Sequence, residues 1–470
     1  MSGKAKNKIS PLKGAVMRVI RAAKSAESRA GDLEALGTRL QTFSQAQFEH
    51  FQELPENDPL RQYPIATTVT QLNNDLEVIE RAITQRQETT NQVFRNTVAF
   101  ADTLVEVALE PAQKWFPQRV TGITYIHKEP MVRVIPYAPV ALVGIPYSCL
   151  AAFETAPPPP DDSWSIWQDF VSIPHEVGHY VFRHARIPNQ PQDEPLSVTL
   201  WKILKAHSFS SNPDPRRWLE EIFADIYGCV LGGPIVAIDF QDLQLNRSFS
   251  EFLTDDATHP IPYFRPIVYQ KILDDYFRER YHKPMRERWA KKLAERPYVP
   301  RIFVGDSIYR MDEARITGDL VALVETITQV LRAKIGSTEK LDVFYTMNRD
   351  EILWPVKSAA TNPSDEIELP DGAKVTPESN IEKWAYGKLA QLFEDLKSKP
   401  FGQSDTSAQF SPSITEEEVR ALQQRFRDDA AQARAAGMVF EPTMSGLTAD
   451  QVATLWAGGW NTEGPNTYWP

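Results

Sequence analysis

The sequence predicts an α+β protein, predominantly helical, organised around one short helix. Three observations support this. Apolar residues recur at three- and four-residue spacing, as in Leu33, Leu36, Leu40 and Phe43. Short β-branched runs bounded by Pro or Gly cluster between residues 120 and 145. After them comes Ile173-Pro174-His175-Glu176-Val177-Gly178-His179-Tyr180-Val181-Phe182, in which residues i and i+4 of a helix are both histidine.

Length and composition set the bounds. A chain of 470 residues has room for two to four domains. With 42% hydrophobic and 24% charged residues it reads as globular. No apolar run reaches 18 residues, which predicts no transmembrane segment, and the N-terminus carries no secretory apolar core. Two cysteines, Cys149 and Cys229, exclude a disulfide framework and point to a reducing, cytoplasmic setting. A net charge of −11 argues against general nucleic-acid binding.

Residues 1–30 hold eight lysines and arginines against the single acid Glu27. They read as a solvated basic tail, with Val16, Met17, Val19 and Ile20 as a short amphipathic stretch suited to an anionic surface or partner. Residues 31–114 are helical. Pro55, Pro59 and Pro64 break the chain, and from Val69 to Leu109 runs a seam of Leu72, Leu76, Ile79, Ile83, Val93, Phe100, Leu104 and Val107. Arg86, Thr90 and Thr97 interrupt it. That pattern predicts a helical hairpin or short coiled coil, either an arm for a regulatory partner or a cover for the rest. Val120–His127, Val132–Ile135 and Val140–Ile145 read as strands of a small sheet packed on the helix that follows. Val140–Ile145 is the candidate edge for holding an extended substrate, against the plainer reading of a core strand. Pro157–Pro160 reads as a stiff linker, and Asp161, Asp162 and Ser163 as caps for a segment carrying Trp164, Trp167 and Phe170.

His175 and His179 can point two imidazoles at one metal ion, and Glu176 can reach a water activated there. The third ligand is sought downstream. His184 lies nine residues from His175, on the opposite face, and Phe182 and Ala185 stand where a metzincin has Gly and His. Asp214-Pro215 begins another helix, which Gly232 and Gly233 end. In it Glu221 and Asp225 share a face. Glu221 completes a His-His-Glu site, and Asp225 accepts the second ring N–H of a ligating histidine. Glu220 competes as ligand, but its i+4 neighbour is Ala224.

The order His-Glu-x-x-His, then Glu-x-x-Ala-Asp, resembles the gluzincin metallopeptidases. Thr258-His259-Pro260-Ile261-Pro262-Tyr263-Phe264-Arg265 narrows this to a resemblance with the CAAX prenyl endopeptidase and heat-shock membrane protease family, over roughly residues 130–280. The resemblance implies a zincin-like core binding Zn²⁺ through His175, His179 and Glu221. It also implies catalytic roles for Glu176, His259 and Arg265. His259 would stabilise the oxyanion, and Arg265 would hold the oxyanion or the Glu/Asp helix. The family's membrane helices are absent, so its membrane substrates do not carry over.

The expected organisation is a basic tail (1–30), a helical arm (31–114), a metallopeptidase domain (115–300), a mixed region (301–397), a linker (398–413) and a C-terminal helical segment with its tail (414–470). Helices are expected over Phe264–Phe277, Tyr281–Arg301, Ala314–Lys334, Glu378–Leu396, Ile414–Ala436 and Thr448–Trp456. A hairpin is expected over Glu366–Val375. The expected function is zinc-dependent hydrolysis of a protein or peptide substrate, with Glu176 as general base. The rival expectations are a non-cleaving binding protein on the same fold and a latent protease opened by a partner.

Overall fold

Amphipathic spacing shapes residues 3–109 into four helices, α1 (Gly3–Ala23), α2 (Ala30–Glu53), α3 (Pro59–Thr84) and α4 (Gln92–Leu109). The structure is a computed structural model that describes residues 3–53, 59–128, 130–133, 135, 137–154, 165–186, 194–245, 247–256, 259–276, 279–296, 301–304, 307–335, 366–369, 371–398 and 407–436. The expected linker at Pro157–Pro160, the caps at residues 161–163, Trp164, the helix over Thr448–Trp456 and the tail after it lie outside these residues. The chain divides into two units, one of residues 1–103, 117–147 and 401–470, the other of residues 104–116 and 148–400.

In the first unit α1, α2 and α3 pack on one another. Val16, Val19, Leu33, Leu36, Leu40, Phe43, Leu72, Leu76, Ile79 and Ile83 form one buried cluster. This corrects two expectations. The basic N-terminus is not a solvated tail, because α1 buries Val16, Val19 and Ala23 while Lys13, Arg18 and Arg21 stay exposed. The Leu72–Ile83 seam is not an open arm either, because α1 and α2 already cover it. Pro59 starts α3, where its missing N–H costs little, and Pro64 lies within the helix without ending it, while Pro55 is outside the described residues.

Strands β1 (Thr121–His127), β2 (Met131–Arg133) and β3 (Val140–Pro146) form a sheet in the order β1-β3-β2, with β1 and β3 parallel and β2 antiparallel to β3. Ile123, Tyr125, Val140 and Leu142 join the helices' apolar cluster. The expectation for Val140–Ile145 as a substrate-holding edge is overturned. β3 is the central strand, fully buried, with partners on both sides, so its ladder groups are already used. The sheet also belongs to the unit of the N-terminal helices and not to that of the His-Glu-x-x-His helix.

A buried polar cluster closes this unit. Arg86, read as a seam interruption, donates to both oxygens of Asp102 at 2.7 and 2.8 Å and to the Thr124 carbonyl at 2.8 Å. Asp102 also accepts from the Thr124 backbone N–H at 2.7 Å. Asp75 similarly joins α3 to Arg133 and to Tyr137. Residues 407–413, assigned to the linker, lie on α2. Gln409 N–H donates to Asp32 at 2.6 Å and Arg39 donates to the Ser411 carbonyl at 2.7 Å. The C-terminal helix Glu416–Ala436 follows, with Thr415 as N-cap.

The second unit contains α5 (Ile173–His184), α6 (Leu196–Lys205), α7 (Leu219–Gly232), α8 (Pro234–Leu245), α9 (Phe249–Phe252), α10 (Arg265–Tyr276), α11 (Glu279–Ala294) and α12 (Glu313–Ile335), with a further helix over Pro377–Lys397. Its sheet has the order β4 (Thr254–Asp255), β5 (Arg301–Val304), β6 (Ser307–Arg310), and the expected hairpin appears as Ile367–Glu368 paired with Lys374–Val375. None of the described helices is long and apolar enough to cross a membrane.

Arg86 and Asp102 are 1% and 4% exposed, so removing one strands the other's charge. Asp102→Ala is expected to lower stability by about 3–5 kcal/mol in urea unfolding. Glu77→Ala, which removes only the exposed i+4 partner of Arg81, is expected to change it by about 0.5 kcal/mol or less.

Candidate metal centre

The site is built where α5 crosses α7. Pro174 starts α5 with its absent N–H in the first turn. Asp214 caps the short 3-10 turn Pro215–Trp218 by accepting from Arg216 N–H at 3.0 Å, and α7 follows directly. Two glycines set the separation. A Cβ on Gly178 would lie 2.8 Å from the Ala224 Cα, and one on Gly228 would lie 3.3 Å from the Cα and backbone N of His175. The two backbones therefore touch, and the side chains beside them converge.

His175, His179 and Glu221, all buried, form a group that can hold a metal ion. The Nε2 atoms of the histidines are 3.1 Å apart. Glu221 Oε2 is 3.6 Å from His175 Nε2, and Glu221 Oε1 is 3.4 Å from His179 Nε2. Donors on a tetrahedral cation with bonds of about 2.0–2.1 Å stand about 3.3–3.4 Å apart. The two imidazole nitrogens and the Glu221 carboxylate thus lie at about the separations of ligands on one such cation. Their chemistry fits as well, two imidazole nitrogens and one carboxylate being donors for a borderline divalent cation.

Each histidine faces a carboxylate on its other nitrogen. His175 Nδ1 lies 3.1 Å from Asp225 Oδ1, and His179 Nδ1 lies 2.9 Å from Glu220 Oε1. Arginines hold both acids. Arg265 donates to Asp225 at 2.9 and 2.8 Å and to Glu221 at 3.0 Å, and Tyr269 donates to Asp225 at 3.2 Å. Arg183 donates to Glu220 at 2.7 Å. Phe240 meets the His175 ring edge-on at 5.1 Å and supplies an apolar wall.

Burial pushes the Asp225 carboxyl up, but Arg265 and His175 outweigh it and bring it to about 2. Burial likewise opposes Glu220, whose carboxyl Arg183 and His179 pull down to about 2. Glu221 also ends below the usual carboxylate range, with His179, His259 and Arg265 prevailing over burial. Without a cation in the site, burial disfavours the charged His179 ring, yet Glu221 and Glu220 raise it to about 9. Glu176 moves the other way. Burial raises it, and His179 and His175 offset only part of that. No hydrogen bond or ion pair joins its carboxylate to another described residue.

His259 and Arg265 both reach the site, by different routes. His259 Nε2 stands 3.4 Å from Glu221 Oε1, while Asp256 takes its backbone N–H at 2.7 Å and faces its Nδ1 at 2.8 Å. Arg265 is buried and paired with Asp225 and Glu221. His184 stacks on Tyr180 at 4.4 Å and is not in the donor group. Thr258 lies outside the described residues. The sequence reading did not find the roles of Glu220, Arg183 and Tyr269. The available signal for Arg183 was its i+4 position after His179.

No protein-family model, curated protein or solved structure matches this chain.

The contact at Gly178 is against backbone, which cannot swing aside. Gly178→Ala is expected to push α5 from α7 and widen the donor triangle. Its metal content by elemental analysis should fall well below that of wild type. Gly318→Ala, where a new Cβ meets nothing within 4 Å, should leave metal content unchanged.

Proposed function

We propose that the chain is a zinc-dependent endopeptidase of the gluzincin type, acting on a protein or peptide substrate. The observation that carries this is the convergence of His175 Nε2, His179 Nε2 and a Glu221 oxygen, with Glu176 beside them and without a hydrogen bond or ion pair to another described residue. The resemblance of the His-Glu-x-x-His, Glu-x-x-Ala-Asp and His259–Arg265 strings to the CAAX prenyl endopeptidase family supports the same reading. Two buried free thiols, Cys149 and Cys229, accord with a reducing compartment such as the cytoplasm.

In this reading His175, His179 and Glu221 hold the cation. A bound zinc would supply Lewis acidity toward the substrate carbonyl and a lower pKa, about 7, for the attacking water. The Glu176 carboxylate takes the proton of that water and passes it to the nitrogen of the leaving amine. Burial, which raises its carboxyl above the usual range, helps it to hold that proton during the transfer. As the imidazolium, which the Glu221 and Asp256 carboxylates favour against burial, His259 gives its Nδ1–H to Asp256 and presents Nε2–H as a donor to the developing oxyanion. Asp225, Arg265 and Tyr269 keep Glu221 and His175 in place.

Two measurements test the reading. Purified wild type and Glu176→Gln should each contain one zinc per chain, and Glu221→Ala little or none. With unfolded casein as substrate, Glu176→Gln should lose about 10²- to 10⁴-fold of the cleavage rate. Cleavage by that variant at the wild-type rate would sink the mechanism, and wild type that binds no zinc would sink the metal assignment.

A further inference from the structure

We propose that Glu220 is a positioning residue, which fixes His179 as the tautomer that presents Nε2 to the metal, and that Arg183 holds Glu220 in that role. The proposal rests on the metal site inferred above and assigns work to two residues outside the donor group.

The geometry is closed and local. Glu220 Oε1 stands 2.9 Å from His179 Nδ1 and accepts from Arg183 Nε at 2.7 Å. The side chains of His179, Glu220 and Arg183 are only 10%, 12% and 13% exposed, so solvent competes weakly for these contacts. Adjacent residues on a helix point about 100° apart. Glu221 therefore reaches the Nε2 side of the rings, while Glu220 passes outside and meets His179 from behind. A neutral imidazole carries one N–H. When that proton sits on Nδ1 and is given to Glu220, the Nε2 lone pair is left for the cation.

Arg183 has a second effect. A bare carboxylate next in sequence to a ligand would compete for the cation, because both are hard anionic oxygens. The guanidinium engages the oxygen nearest the histidine and holds Glu220 against His179 instead of the donor group. His175 is held by an analogous device, but there the arginine comes from α10. For His179 the arginine comes from its own helix, four residues on. The orientation of His179 thus depends on α5 and α7 alone.

The test is zinc affinity, measured by competition with a chromophoric chelator on the full chain. The variants are Glu220→Ala, Glu220→Gln and Arg183→Ala, beside Glu221→Ala. Glu220→Ala should weaken zinc binding about 10- to 100-fold. Glu220→Gln, which keeps an acceptor oxygen, should recover to within about 5-fold of wild type. In the cobalt-substituted protein, the visible absorption of tetrahedral Co²⁺ should change with Glu220→Ala and persist with Glu220→Gln. Thermal melts of chelator-treated samples show which variants are folded, and Arg183→Ala, expected to weaken zinc binding in the same direction, decides the question if Glu220→Ala is not, wild-type affinity there overturning the proposal. Wild-type zinc affinity in Glu220→Ala overturns the proposal. So does loss of zinc with Glu220→Ala while Glu221→Ala retains it, since Glu220 would then be the ligand. A wild-type chain that binds neither zinc nor cobalt overturns the metal reading itself and is recognised from that sample alone.

Discussion

The contact between α5 and α7 is the constraint on which the site depends. Helices whose facing positions carry side chains keep their axes about 8–10 Å apart. Gly178 and Gly228 remove those side chains where the helices cross, so that the Ala224 and His175 backbones become the contact surface. The approach of the Glu221 carboxylate oxygens to the two imidazole nitrogens, at 3.4 and 3.6 Å, depends on that separation. The same crossing brings Asp225 and Glu220 to the far sides of the two rings. One packing feature thus sets the ligands and the groups that orient them.

Bringing four carboxylates into one buried place is costly unless their charge is balanced. Arg183 and Arg265 balance part of it, from α5 and α10, and a divalent cation at the donor triangle would balance much of the rest. The carboxylates divide accordingly. Glu220, Glu221 and Asp225 touch an arginine and lie below the usual carboxylate range, which suits acceptors and ligands that stay ionised. Glu176 touches none and lies above it, which suits a group that must gain and release a proton. The environment sorts four chemically similar side chains into two kinds of work.

What was legible in the sequence was local. The i, i+4 spacing of His175 and His179, the Glu221/Asp225 face and the short β-branched runs of the three strands are each contained in a short window. What was hidden depended on partners far along the chain. β3 looks like any apolar strand, and only the pairing order makes it central. Arg86 breaks a heptad seam on paper, yet its partners lie 16 and 38 residues away at Asp102 and Thr124. Glu220 lacked a neighbour at i+4 on α7, and its neighbours instead came from α5, 37 and 41 residues earlier. The lysines and arginines of α1 obscured Val16, Val19 and Ala23, although three buried positions suffice to seat one helix face.

The spacing between His259 and Arg265 has a physical reason of its own. His259 stands in the loop ahead of α10, and Arg265 is the first residue of that helix. Between them the chain turns tightly, with Phe264 and Arg265 N–H both donating to the Ile261 carbonyl, and Tyr263 N–H donating to Phe252. The turn therefore fixes the distance between a half-exposed imidazole and a buried guanidinium. The buried end grips Asp225 and Glu221. The exposed end is gripped by Asp256, one residue beyond β4, and the neighbouring Asp255 accepts from Trp218 at the start of α7. Any displacement of α7 is thus passed to His259 along two routes, through Arg265 and through β4. In the proposed chemistry the donor to the oxyanion and the cation's carboxylate ligand then move as one body, which a transition state shared between them requires.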